Sequence, residues 1–148
     1  MNNFFYNFIL VSIIFFSYNS LFSQSEKIKW IKPEEINEIQ KSNPKKIMID
    51  LYTDWCGWCK VMDRTTFSDK NVAEKINSNF YPIKINAEYQ GEINFNNKIY
   101  KYLDAKPRGI NELAYYLTNG QLSYPMTIFL DEEFQIITLL PGYHKSNF

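Results

Sequence analysis

Trp55-Cys56-Gly57-Trp58-Cys59-Lys60 constrains this chain more than any other segment, and it holds both of the cysteines. It follows a short, mostly apolar run at 46–52, KIMIDLY, which reads as a strand buried on both faces. Lys60-Val61-Met62 suits a helix that starts at or near Cys56. A C-x-x-C pair between a strand and a helix can close a small reversible disulfide. Cys56 would sit at the helix N-terminus, where free N–H groups and the positive dipole end favour thiolate over thiol. A thiolate is the attacking species in disulfide exchange. Cys59 lies one turn inward, close enough to attack a mixed disulfide. Cys56 is therefore the expected nucleophile and Cys59 the resolving thiol. Gly57 would permit the tight turn. Trp55 and Trp58 would shield the sulfurs and offer substrate an apolar surface.

Other readings of a bare C-x-x-C remain open at this point. It could be half of a zinc site completed by His144 and a carboxylate. It could be an inert structural disulfide, although so small a loop constrains little of the unfolded chain. It could belong to a copper-binding carrier, since soft thiolates suit Cu(I), or to a non-catalytic binding module. Composition excludes more. Two cysteines and one histidine cannot make a four-ligand zinc site from Cys and His alone, nor a disulfide-rich scaffold. Sixteen basic side chains balance sixteen acidic ones, so no field attracts nucleic acid or anionic lipid. With 148 residues, 45% of them hydrophobic, the chain supports one packed domain.

Residues 1–24 carry no charged side chain. Positions 4–16, FFYNFILVSIIFF, are apolar apart from Asn7 and Ser12, and small polar residues follow. This reads as a secretory signal peptide at about 1–24, cleaved near Ser23–Ser25, although the positive n-region is missing. The apolar core is short for a membrane span, so an uncleaved anchor is the weaker alternative. Export places 25–148 in a compartment where disulfides persist.

Along the mature chain, Pro33-Glu34-Glu35 reads as a first helical turn, with Ile31, Ile36 and Ile39 on one face and Asn43-Pro44 as the stop. A helix at 69–76 could be capped by Ser68 or Asp69. A strand follows at 80–86. An insert at about 88–110 fits a small hairpin turning at Asn96-Asn97, with a helix at 98–103 as the competing assignment. Ile110, Leu113 and Leu117 mark a helix closed by Asn119-Gly120. Strands at 126–130 and 135–140 complete the pattern, turning at Asp131-Glu132-Glu133. An early βαβ unit and a late hairpin imply an α/β chain with a mixed sheet covered by helices.

The segment from Asp50 to Lys60, DLYTDWCGWCK, resembles the active-site segment of the thioredoxin superfamily, in particular exported bacterial thioredoxin-like proteins. The similarity runs from about 45 to 142. It implies a thioredoxin-like fold, a mixed central sheet flanked by helices. It also implies thiol–disulfide exchange with protein clients, by preference as a reductase in the periplasm. No organic cofactor or metal is implied, and electrons pass to or from a membrane or soluble donor. By resemblance, Asp50 is a buried acid that takes the proton from Cys59, and Lys84 lies near it. Lys60 supports the motif. Tyr124-Pro125 matches the cis-proline loop that offers backbone to an extended substrate, and Gly142 matches the glycine on the other side. Gly-Trp between the cysteines departs from the Gly-Pro of thioredoxin proper. Only eight residues follow Leu140, so the closing helix is expected to be truncated. The tyrosines 100, 102, 115 and 116 read as core and rim packing.

Overall fold

The computed structural model describes residues 26–146. The leader expected at 1–24 lies outside the described residues. In chain order the elements are a 3₁₀ turn (Pro33–Glu35), α1 (Ile36–Ser42), β1 (Lys46–Tyr52), α2 (Gly57–Thr65), α3 (Lys70–Asn79) and β2 (Phe80–Asn86). The insert forms β3 (Ile93–Phe95), β4 (Lys98–Tyr100), β5 (Tyr102–Leu103) and β6 (Ile110–Asn111). Then come α4 (Glu112–Thr118), β7 (Met126–Leu130) and β8 (Ile136–Pro141). No helix among the described residues is long and apolar enough to cross a membrane.

The main sheet runs β2-β1-β7-β8. β1 and β2 are parallel, and both β1–β7 and β7–β8 are antiparallel. This is the mixed sheet that the sequence pattern implies. β1 is its hub, buried from Ile47 to Leu51, because helices cover both faces. Side chains alternate along a strand, so β1 feeds two cores. Ile47, Ile49 and Leu51 pack with Ile36 of α1 and with Leu113 and Leu117 of α4. Met48 packs on the other face with Met62 of α2 and with Ala73 and Ile76 of α3. Asp50, two residues beyond Met48, points to that second face. Each large apolar side chain buried here is worth about 1.5–3 kcal/mol.

Several local expectations are corrected. The buried face of α1 is Ile36, Asn37 and Gln40 rather than Ile31, Ile36 and Ile39. Gln40 tolerates burial because its amide donates to the carbonyls of Lys45 at 2.9 Å and Glu132 at 3.1 Å. Ile31 instead bridges to Ile83 at the edge of β2. Asp69 caps α3, accepting from the amides of Asn71 and Val72, and the helix runs three residues past the expected end to Asn79. The β3–β4 hairpin forms and the competing helix does not. Asn96 and Asn97 both take positive φ, as a two-residue turn of this hand requires. Ile110 pairs with Leu103 in β6 instead of lying on α4.

Candidate active site

β1 delivers the chain to the motif. After Tyr52 the backbone turns, with the Cys56 amide donating to the Thr53 carbonyl at 3.1 Å. Cys56 is then the N-cap of α2, in extended backbone, and its Sγ accepts from the Cys59 amide at 3.0 Å. The two sulfurs are joined in a disulfide with an S–S distance of 2.09 Å. The first cysteine thus occupies the helix terminus, where unpaired amides and the dipole favour a negative sulfur. Both half-cystines are 4% exposed. The expected tight-turn role of Gly57 is not needed. Its φ is not positive, and an added Cβ would meet nothing within 4 Å.

Cys59 and Met62 are the buried residues of α2, and Asp63 is adjacent on that surface. They face the side of the sheet that carries Asp50. Asp50 lies between its register partners Lys84 on β2 and Thr127 on β7. Its side chain is 2% exposed, and Oδ2 stands 2.9 Å from the Lys84 ammonium. Oδ1 of Asp50 and the Oγ1 atoms of Thr53 and Thr127 are buried without a hydrogen-bond partner among the described residues. Desolvation by burial raises the Asp50 pKa above the usual carboxylate value, against the pull of Lys84. An acid with a raised pKa and an unpaired oxygen is equipped to accept a proton.

Lys84 also bonds Asp63 and sits among the rings of Tyr52, Trp30 and Phe67, 5.0, 5.3 and 5.8 Å from their centroids. Burial opposes its charge, but the two carboxylates outweigh burial and raise its pKa. Sequence reasoning missed Asp63. Its signal was the spacing of four from Cys59, which puts both on one helix face.

The two tryptophans flank the pair and are about half-exposed. Trp58 stacks on Tyr143 at 5.5 Å between centroids, within a segment at 142–146 that folds back along α2. Trp55 meets Tyr124 edge-on at 5.8 Å. The Tyr124–Pro125 peptide is cis. Met126 pairs with Leu51, so Pro125 lies at the end of β1 from which the motif departs. Gly142 reaches the same place: its amide donates to the Pro125 carbonyl at 2.7 Å, and its φ of +88° favours glycine. Burial, and then the charge of Glu88, pushes the Tyr124 phenol up to about 12. The structure therefore gathers Trp55, Cys56, Trp58, Cys59, Tyr124, Pro125 and Gly142 around the α2 N-terminus, while Asp50 and Lys84 lie on the sheet face that α2 covers and reach the helix at Asp63. Lys60 lies on the exposed side of α2, away from Asp50.

A mixed sheet with a disulfide closed across the first turn of α2, beside a cis-proline loop, defines a thioredoxin-fold protein. The chain belongs to the family described as "Thioredox_DsbH: Protein of unknown function, DUF255", whose profile matches residues 17–146. It is 45% identical over 51 residues to the thiol:disulfide interchange protein DsbD of Haemophilus influenzae strain PittEE, covering 33% of this chain and 9% of that protein. It is 26% identical over 106 residues to an uncharacterized protein, B0495.5, of Caenorhabditis elegans, covering 71% of this chain and 12% of that protein. These relatives are thus far longer than the chain. A thioredoxin from Thermus thermophilus superposes with a TM-score of 0.58 at 15% identity, over 81% of this chain and 79% of that one. At that identity the likeness is one of fold.

Proposed function

We propose that this chain is an exported thiol–disulfide oxidoreductase that reduces disulfides in protein clients. The observation that carries the reading is Cys56 as N-cap of α2, bonded to Cys59, on the sheet face that holds the buried Asp50. The similarity to a protein named for thiol:disulfide interchange supports it. The uncharged apolar leader at 1–24 supports export, and it is removed in this reading to leave 25–148 as the working domain, in the periplasm.

In the reduced protein the Cys56 thiolate attacks one sulfur of a client disulfide. A Cys56–client bond forms, and the second client sulfur leaves as a thiolate that takes a proton from solvent. Asp50 accepts the proton of Cys59, and the Cys59 thiolate attacks Sγ of Cys56. The client's first sulfur is released and protonated. The client has gained two electrons and two protons, and Cys56–Cys59 has become the disulfide seen here. A dithiol donor, soluble or in the membrane, then reduces that disulfide. Tyr124, Pro125 and Gly142 receive the client backbone beside the sulfurs. Trp55, Gly57 and Trp58 form the surface it lies on, and Lys84 holds Asp50.

The test is reduction of a protein disulfide by dithiothreitol, with and without the protein. Catalysis that disappears in Cys56→Ser is expected. Equal rates for wild type and variant would overturn the proposal.

A further inference from the structure

The insert between β2 and α4 returns to the motif at two side chains that the redox chemistry does not use. Glu88 accepts the indole N–H of Trp55 at 2.9 Å, and the Arg108 guanidinium lies 4.6 Å over the same ring. Arg108 and Glu88 stand 4.0 Å apart. Glu88 is itself fixed. Its backbone amide donates to Asn86 Oδ1 at 2.9 Å, and Asn86 Nδ2 donates to Asp54 Oδ2 at 3.0 Å. With Tyr124 against a further side, Trp55 is clamped although 52% exposed, whereas Trp58, 62% exposed, has the stack on Tyr143.

Glu88 and Arg108 also line an open cleft of about 670 Å³ in the insert, together with Asp54, Asp104 and Lys106. Its frame is built. The buried Asn111 donates to the carbonyls of Tyr89 and Gly91 at 3.2 and 3.0 Å, which ties the two ends of the insert together. The cleft begins at Asp54, two residues before Cys56. A peptide joined to Cys56 therefore has a path into it for the residues that flank its own cysteine. Charged and polar groups of both signs line that path. An apolar flank would strip them of water without replacing their hydrogen bonds, and a polar flank would pair with them.

We infer that the insert is the specificity element of the site: its cleft takes polar or charged residues flanking the client cysteine, and Glu88 and Arg108, which line it, are positioning residues that also hold Trp55 beside the disulfide. This rests on the oxidoreductase reading above. It assigns substrate choice to residues outside the C-x-x-C segment, on a part of the chain that the strand and helix pattern leaves as an insertion.

The experiment compares two peptide disulfides of equal length, one with Ser, Asn and Lys beside the cysteines and one with Leu and Val. Wild type is expected to favour the polar peptide in kcat/KM. Arg108→Ala is expected to cut that preference by about threefold to tenfold, mainly through KM, with partial recovery in Arg108→Lys, which keeps a cation over the ring. Glu88→Gln keeps an acceptor for the indole and removes the charge facing Arg108, so an intermediate loss is expected. A wild type without preference, or a preference unchanged in Arg108→Ala, overturns the inference while leaving the oxidoreductase reading standing. A wild type that reduces neither peptide overturns that reading and the inference together.

Discussion

The Asp50 carboxylate and the Lys84 ammonium stand 2.9 Å apart as register partners on adjacent parallel strands, and the same ammonium bonds Asp63 on α2. One cation thus ties the sheet to the helix that carries both sulfurs. The arrangement sets an acid whose charge is costly on the sheet face that this helix covers.

Burial raises the Asp50 pKa, with Lys84 working in the opposite direction. The native state therefore holds this proton more firmly than the unfolded chain does. Stability falls as pH rises from the unfolded carboxyl value through the folded one. Asp50→Asn removes that fall. The variant should be more stable than wild type by about 1–3 kcal/mol at neutral pH, with the gain vanishing below the ordinary carboxyl range. It should also resolve mixed disulfides about 10–100-fold more slowly, having lost the proton acceptor. Denaturant unfolding across pH and stopped-flow exchange read the two effects, which have opposite signs.

Lys84→Met removes the ammonium that pulls the Asp50 pKa down. The pKa should climb further, so the acid limb of the exchange rate should move to higher pH. A pH–rate profile of both proteins measures it. A limb that stays in place would separate Lys84 from the chemistry.

The two cysteines should behave unequally. Cys59→Ser leaves the Cys56 nucleophile without its resolving thiol, so a covalent Cys56–client species should accumulate on non-reducing gels. Cys56→Ser should give none, because Cys56 holds the N-cap position that favours a thiolate, whereas Cys59 lies inside the first turn of α2.

Gly142 and Gly57 offer a contrast. Gly142 has φ of +88°, which an L side chain resists, so Gly142→Ala should cost about 1–2 kcal/mol and disturb the 2.7 Å bond to Pro125. Gly57 begins a helix in open space, so Gly57→Ala should be neutral or stabilise by up to about 1 kcal/mol. Thermal unfolding of the two variants decides it.

Much of this was legible in the residues because it is local. The run at 46–52 has the composition of a doubly buried strand, and the C-x-x-C pair marks the turn into a helix. Asn96-Asn97 and Asn119-Gly120 supply left-handed turn residues where the chain needs them. Asp50 and Lys84 were legible through family likeness, not through spacing, since 34 positions separate them in sequence and only the parallel register unites them. Glu88 and Arg108 were not legible. Their contacts with Trp55 depend on how the insert folds back, and short apolar runs such as 93–95 and 98–100 carry too little periodicity to fix that path. The face of α1 misled for a related reason. Gln40 looks like a surface residue until a distant carbonyl, that of Glu132, is available to pair with it.

The account stands on Cys56–Cys59 as a pair that cycles. Equilibration of the protein in graded glutathione redox buffers, with alkylation of free thiols as the readout, tests that most directly. A single two-electron transition between about −120 and −300 mV is predicted. A pair that stays closed to alkylation across the whole range would contradict it, and would leave the disulfide a fixed crosslink.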